Sequence, residues 1–278
     1  MVDSDRSPLI KLMGYVGMII AVLFIGLPLV FIVLTSFKQQ SEIYTQPVTW
    51  LPGQFNFDNY TNVFQRVPFL DYFRNSVLIT IILCAIKIVL GIISAYALAI
   101  LRFPGRNLVF LLVISALMVP SEVTVISNYA LVSQLGWRDT YQGIIVPLAG
   151  IAFGTFLMRN HFMSIPHELI EAARMDHCGH FRLLWKVLLP ISMPTVVAFS
   201  MITIVNEWNQ YLWPFLMAET EASATLPIGL TMLQNNEGVS NWGPVMAATI
   251  MTMLPVLVMF LALQQYMIKG LISGAVKG

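Results

Sequence analysis

Six long apolar runs restrict what this chain can fold into more than any other feature of its sequence. Each run meets or comes near the roughly 20 residues that an α-helix needs to cross the hydrocarbon core of a bilayer. In lipid the backbone of such a run must satisfy its own hydrogen bonds, and a helix does so within one segment. The sequence therefore predicts an all-α integral membrane protein with six transmembrane helices, at residues 14–34, 77–101, 108–133, 143–158, 187–212 and 245–267.

The composition agrees with this fold class. Of the 278 residues, 57% are hydrophobic and 10% are charged, whereas an average soluble domain is about 25% charged. Once the apolar runs are set aside, no remaining stretch is long enough to build a sizeable core of its own. We therefore expect a single transmembrane domain over residues 1–278, surrounded by membrane lipid. The net charge of +1 predicts no basic surface of the kind that nucleic-acid binding requires.

The basic residues indicate how the chain is oriented, because Lys and Arg concentrate on the cytoplasmic side of membrane proteins. The loops at residues 35–76 and 214–244 lie on the side with the smaller group, which consists of Lys38, Arg66, Arg74 and, between the third and fourth spans, Arg138. The larger group consists of Arg6, Lys11, Arg102, Arg106, Arg159, Arg174, Arg182, Lys186, Lys269 and Lys277. We therefore expect both termini to be cytoplasmic and the two long loops to lie outside.

Residues 159–186 form the largest cytoplasmic loop of this arrangement, and they are typical of two short helices joined by a turn. Pro166 and Glu168 suit the first turn of a helix, since proline fixes a helical φ and an acidic side chain complements the positive end of the dipole. After Asp176, Gly179 offers a position that can take a positive φ and end the helix. The loop thus predicts a compact projection on the cytoplasmic side.

Residues 171–190, EAARMDHCGHFRLLWKVLLP, resemble the cytoplasmic loop of importer permeases of the ATP-binding cassette superfamily. The positions that match are Glu171, Ala172, Ala173, Asp176, Leu189 and Pro190. His177 stands where that family usually has Gly, so the turn is either shifted to Gly179 or held by a non-Gly residue in a left-handed conformation. Residues 95–97, 102–106, 207–214 and 270–278 also resemble carbohydrate-type permeases, above all the second permease of glycerol-3-phosphate and glycerophosphodiester importers.

The resemblance implies a function and a set of partners. The chain would be a multi-pass permease subunit in the bacterial cytoplasmic membrane, importing glycerol-3-phosphate, a glycerophosphodiester or a sugar. A different permease, two copies of an ATPase that binds ATP and Mg²⁺, and an extracytoplasmic solute-binding protein would complete the importer. The resemblance places the ATPase-docking element at Glu171, Ala172, Ala173, Asp176 and Gly179. The sequence contains no G-x-x-x-x-G-K-[ST] phosphate loop, so we expect no ATP hydrolysis by this chain itself.

Polar residues inside the predicted spans are candidates for the solute pathway, because charge within a membrane is costly. Lys87 either meets an anionic solute or pairs with a carboxylate or carbonyls. Glu122, after Pro120, either lines the pathway or lies near the outer water interface. Glu207, Asn209 and Tyr211 suit hydroxyl groups and sugar rings, although aromatic residues are also normal at membrane interfaces.

A rival interpretation makes the chain an ion-coupled secondary transporter of a polar solute. The intramembrane charges of Lys87, Glu122 and Glu207 would serve such a mechanism. Against it stand the absence of an evident inverted repeat in the sequence and the loop at residues 171–190. Uptake of a solute by this chain alone would favour the rival.

Overall fold

The fold is described from a computed structural model, which covers residues 8–234 and 241–275. These ranges contain helices and loops and no strand. In chain order the helices are α1 Pro8–Ser36, α2 Gln40–Ile43, α3 Asp58–Arg66, α4 Phe69–Ile100, α5 Arg106–Leu117, α6 Ser121–Gln134, α7 Tyr141–Leu148, α8 Ala152–Ser164, α9 His167–Met175, α10 His180–Leu183, α11 Leu189–Ile191, α12 Met193–Trp208, α13 Leu212–Met217, α14 Leu226–Gln234 and α15 Trp242–Ala275. A π-helical turn, Leu184–Leu188, joins α10 to α11.

Three helices in the described ranges are long and apolar enough to cross a membrane without interruption. They are the segments Leu12–Ser36, Phe69–Ile100 and Trp242–Tyr266, and they coincide with the first, second and last predicted spans. The other three predicted spans are bent helix pairs, α5 with α6 at 95°, α7 with α8 at 42°, and α10–α11 with α12 at 80°. Counting each bent pair as one span gives up to six.

Each bend has a local cause in the sequence. Pro120 lies between α5 and α6, and it is extended, with φ −60° and ψ 135°. Gly150 lies between α7 and α8, and glycine has no side chain to favour the helix. Pro190 and Pro194 flank Ser192 between α11 and α12, and proline removes a backbone donor and crowds the preceding turn. These breaks lie inside apolar runs that hydropathy alone reads as continuous.

The described chain divides into two compact units. The first contains residues 8–69, 230–234 and 241–253, and a buried asparagine organises it. Asn59 in α3 donates to the carbonyls of Ser36 and Lys38, both at 2.8 Å. Carbonyls at and just after the end of a helix have no donor within the helix, and Asn59 supplies one. A Cβ on Gly243 would lie 2.4 Å from Asn59 Oδ1, so a larger residue there would displace the Asn59 amide from its two carbonyls.

The second unit contains residues 70–229 and 254–275, and its main core joins α4, α8 and the segment from α9 to α12. Gly91 and Gly154 let the backbones of α4 and α8 approach closely, since a Cβ on Gly91 would lie 3.4 Å from Gly154 Cα. Beside them, the hydroxyls of Ser94 and Thr155 are 2.6 Å apart. Small residues and hydroxyl bonds of this kind are how helices associate in lipid, where no hydrophobic force drives them together.

Part of the orientation prediction falls outside what the structure describes. The residues or side chains concerned are those of Arg6, Lys11, Lys269 and Lys277, together with residues 235–240 and 276–278.

Candidate functional site

Helix α9, the predicted docking helix, has one buried and one exposed face. Ile170 is 3% exposed and packs into the core with Phe162 and Leu183. One residue later, Glu171 and Ala172 are exposed. Ala173 packs partly against the core, and Asp176 ends the helix on the exposed side. The packing of Ile170 thus fixes the helix to the core, while Glu171 and Ala172 remain accessible to a partner.

The sequence allowed two forms of the turn after α9, and the structure contains the one in which His177 is left-handed. Gly179 has φ −66° and ψ 161°, so the prediction that Gly179 takes the positive φ is wrong. His177 takes it instead, with φ 51°. Cys178 N donates to Ala173 O at 3.0 Å, which is the backbone bond that closes a helix through a left-handed residue. Gly179 is extended and opens α10.

A buried tyrosine ties this segment to α4. The Tyr96 hydroxyl lies 2.8 Å from His180 Nδ1 at the start of α10, and Tyr96 is 6% exposed. At the same end of α4, Arg159 Nε donates to Leu98 O at 3.2 Å and Arg106 Nη1 donates to Leu101 O at 3.2 Å. Cations suit the last carbonyls of a helix because these carry the negative end of its dipole. The docking segment, which consists of α9 and α10, is therefore linked to the end of α4 by one polar contact, Tyr96–His180, as well as by packing.

The structure brings two of the pathway candidates together. Lys87 Nζ of α4 lies 2.5 Å from Glu207 Oε1 of α12. Their side chains are 17% and 6% exposed, and Glu207 Oε2 is buried without a hydrogen-bond partner in the described residues. The sequence analysis considered each charge separately, and the two neutralise each other.

Glu122, a third candidate, lines a small pocket where helix ends meet. The junction pocket encloses about 110 Å³, and its lining includes Ser121, Glu122, Asn128, Pro147, Gln210 and Trp213. Glu122 follows the break between α5 and α6, Pro147 precedes the break between α7 and α8, and Gln210 lies between α12 and α13. Substrate sites of many transporters are built at such discontinuities.

Asn209 and Tyr211 are not among the lining residues of the junction pocket. Asn209 Nδ2 donates to Val205 O at 2.7 Å within its own helix. The Tyr211 ring stacks on Phe215, with 5.3 Å between ring centroids. The residue between them, Gln210, lines the pocket instead. Gln210 was missed by sequence reasoning.

Comparison with known proteins assigns the chain to a family. The family model described as "Binding-protein-dependent transport system inner membrane component" matches residues 87–272. The sn-glycerol-3-phosphate transport system permease protein UgpE of Yersinia pestis bv. Antiqua (strain Antiqua) is 33% identical over 280 residues, which are 98% of this chain and 99% of that protein. The arabinooligosaccharides transport system permease protein AraQ of Halalkalibacterium halodurans is 31% identical over 275 residues, 98% of each chain.

Two solved structures share the fold. A bacterial ABC transporter involved in the import of the acidic polysaccharide alginate matches with a TM-score of 0.82 and 24% identity, covering 94% of this chain and 98% of that one. A bacterial alginate ABC transporter in complex with alginate pentasaccharide-bound periplasmic protein matches with a TM-score of 0.66 and 16% identity, covering 91% of each chain. The predicted resemblance to carbohydrate-type importer permeases is confirmed, and the chain belongs to the family of binding-protein-dependent transport system inner membrane components.

Proposed function

We propose that this chain is one of two permease subunits of an ATP-driven importer for a small polar solute of the sugar or glycerol-3-phosphate class. Relatives named for glycerol-3-phosphate and for arabinooligosaccharides support the solute class. The observation that carries the proposal is the exposed Glu171–Ala172 face of α9, anchored through Ile170. An extracytoplasmic binding protein delivers the solute, in keeping with the family description.

Movement of the ATPase displaces the docking element. Glu171 pairs with a basic group at the edge of a groove on the ATPase, while Ala172 and Ala173 allow a close approach. Asp176, His177 and Gly179 shape the turn that follows. ATP and Mg²⁺ bind to the partner ATPase, two copies of which serve this chain and a different permease. Closing of the ATPase pair moves α9, and the Ile170 packing together with the Tyr96–His180 contact passes the movement to α4.

The proposed orientation is the one that import with an extracytoplasmic binding protein requires. Both termini and the docking segment face the cytoplasm, as the distribution of Lys and Arg favours. In the bacterial cytoplasmic membrane, residues 35–76 and 214–244 then face the binding protein. Of the pathway candidates, Glu122 lies at the junction pocket, Asn209 and Tyr211 flank Gln210 in the sequence, and Lys87 and Glu207 form a neutral pair beside the route.

The ion-coupled alternative is not favoured. The alternative invoked Lys87, Glu122 and Glu207, and two of these three charges are paired with each other. The chain also belongs to a family of transport-system components that work with a binding protein.

The proposal is tested by purifying the chain from native membranes in mild detergent and identifying what stays bound. We expect the wild type to retain an ATPase and a second permease. Glu171→Arg should lose the ATPase and keep the permease, because the charge at the docking face is reversed. Glu221→Arg, which reverses an exposed carboxylate outside the docking segment, is the control and should keep both. A wild-type chain that purifies alone or only with copies of itself would overturn the proposal.

A further inference from the structure

The junction pocket has hydrogen-bonding groups that the described residues do not use. The side-chain amides of Asn128 and Gln210 make no hydrogen bond within the described ranges, and the Glu122 carboxylate accepts only from Ser121 Oγ at 3.2 Å. Trp213 is different, since its Nε1 donates to Gly143 O at 3.2 Å and its ring is 4% exposed. The pocket therefore combines free donors and acceptors with one fixed aromatic wall.

The lining of the junction pocket carries negative charge and, within the described ranges, no positive charge. Glu122 is a lining residue, and no Lys, Arg or His of the described ranges is. Lys87, the one cation inside the predicted spans, is bound to Glu207. A phosphate or carboxylate of a ligand would meet a like charge here with no cation to offset it. A hydroxyl would instead donate to Glu122 and exchange hydrogen bonds with the two amides.

We propose that the junction pocket binds an uncharged, hydroxyl-bearing part of the solute, such as a glycerol unit or one edge of a sugar ring, and excludes anionic groups. This inference rests on the proposed function and assigns a chemistry to one part of the pathway. For a solute such as glycerol-3-phosphate, this chain contacts the glycerol hydroxyls, and the phosphate is held by groups outside the described residues of the pocket.

The size of the pocket agrees with this assignment. Its volume of about 110 Å³ is well below the roughly 300–1,000 Å³ of pockets that enclose a whole drug-sized ligand. The pocket is therefore a subsite that contacts one end or edge of the solute.

The first experiment measures the electrostatic preference and the accessibility of the pocket without knowledge of the solute. In the assembled importer with Cys178→Ser, Gln210→Cys is labelled by two methanethiosulfonates of opposite charge, the ethyltrimethylammonium and the ethylsulfonate. We expect the cationic reagent to react about tenfold faster, after correction with Gln134→Cys, an exposed position outside both the pocket and the docking helix, because a single charge nearby changes a local ion concentration to that extent. Adding Glu122→Gln should remove the difference.

The second experiment concerns the ligand. L-arabinose, maltose, glycerol-3-phosphate and inorganic phosphate are tested for protection of Gln210→Cys in the same complex. Protection by a neutral sugar or by glycerol-3-phosphate, and none by inorganic phosphate, supports the proposal. In uptake of whichever solute is transported, Asn128→Ala and Gln210→Ala should raise KM about tenfold with ATPase binding intact.

Three results would overturn the inference. Faster labelling by the anionic reagent would contradict the charge argument. Protection by inorganic phosphate would show that the pocket accepts anions. Loss of all labelling in the complex but not in the isolated chain would show that a side chain of the second permease fills the pocket. If the complex assembles and transports while one of these results is found, the inference fails and the proposed function stands; if no ATPase associates, the proposed function itself fails.

Discussion

Lys87 Nζ and Glu207 Oε1 lie 2.5 Å apart and join the middle of α4 to the end of α12 by two opposite charges that are 120 residues apart in the sequence. Both helices are apolar, so either charge alone would be expensive to bury. The pair lowers that cost, because each ion keeps a partner of opposite charge. Each buried charge therefore depends on the presence of the other, and mutations can measure this dependence.

We expect Lys87→Met and Glu207→Gln, each alone, to lower the free energy of unfolding by about 3 kcal/mol, because the remaining charge is left buried and unpaired. The double variant should recover most of this loss, since a buried ion pair replaced by neutral groups of similar size costs little. Thermal unfolding of the purified importer in detergent measures all four members of the cycle.

The exposed pair Arg138–Glu219 provides the comparison, with side chains 46% and 44% exposed. Glu219→Gln should cost less than about 1 kcal/mol, since water screens exposed ion pairs. A different outcome would change the role of Lys87. If Lys87→Met folds normally and abolishes uptake, and Glu207→Gln does not restore it, then Lys87 acts on the solute and not on the packing of α4.

The left-handed turn at His177 leads to a second prediction. A non-Gly residue at φ 51° carries a steric penalty of about 1–2 kcal/mol, and Gly removes it at an entropic cost of about 0.5–1 kcal/mol. His177→Gly should therefore leave stability unchanged or raise it by up to about 1 kcal/mol in thermal unfolding. His177→Val, which is β-branched, should lower it.

Gly179 is the matched control for this turn. Its φ is −66°, and a Cβ built on it has nothing within 4 Å, so Gly179→Ala should be neutral. Destabilisation by Gly179→Ala, together with tolerance of His177→Val, would mean that the turn in the assembled importer differs from the one described.

Sequence reasoning succeeded where the signal is local. Within the described residues, the apolar runs identified each helix or bent helix pair that could cross the membrane, because span length depends on consecutive residues alone. Residues 159–186 were predicted as two short helices with a turn, and α9 and α10 lie there. The role of the loop in docking remains a prediction.

What sequence reasoning missed depends on contacts between distant residues. The partner of Lys87 is 120 residues away, so no window of sequence contains both charges. The junction pocket needs Glu122, Pro147 and Gln210 to converge from three separate helix breaks, and hydropathy does not report where a run bends. The choice of His177 over Gly179 for the left-handed position depends on the backbone bonds of the turn, which composition does not determine.

Asp139 provides a third prediction, on pH. Its carboxylate accepts hydrogen bonds from Ser223 Oγ, from Thr220 Oγ1 at 2.8 Å and from the backbone N of Glu219 at 3.1 Å. These bonds, the one from Ser223 above all, hold the pKa of Asp139 below its ordinary value, although burial opposes them. Because the pKa is lowered in the folded protein, the stability from Asp139 is fully present above the unfolded pKa of about 3.9 and is lost as pH falls through the folded pKa.

We therefore expect Asp139→Asn to lower the unfolding temperature at pH 7 and to have a smaller effect near pH 3, below the unfolded pKa. Asn tolerates the φ of 55° at this position, so this variant isolates the charge. Asp139→Ala should be worse at both pH values, because it also loses the acceptor atoms and is strained at that φ. An Asp139→Asn difference that persists unchanged at pH 3 would show that the charge is not the source of the stability.

The close contact between Gly154 and Phe199 supports the last prediction. A Cβ on Gly154 would lie 2.3 Å from Phe199 Cζ, and the ring is 2% exposed, so it has no open space to move into. Gly154→Ala should therefore destabilise by about 1–3 kcal/mol, the usual cost of overpacking a core. Gly17→Ala in α1, where a Cβ meets nothing within 4 Å, should be neutral in the same unfolding assay.

Phe199→Leu should be destabilising alone yet should partly rescue Gly154→Ala, because the smaller side chain leaves room for the new methyl group and neighbouring mutations are not additive. Strict additivity of the two losses would mean that the methyl group is accommodated by movement of α8 rather than by contact with the ring.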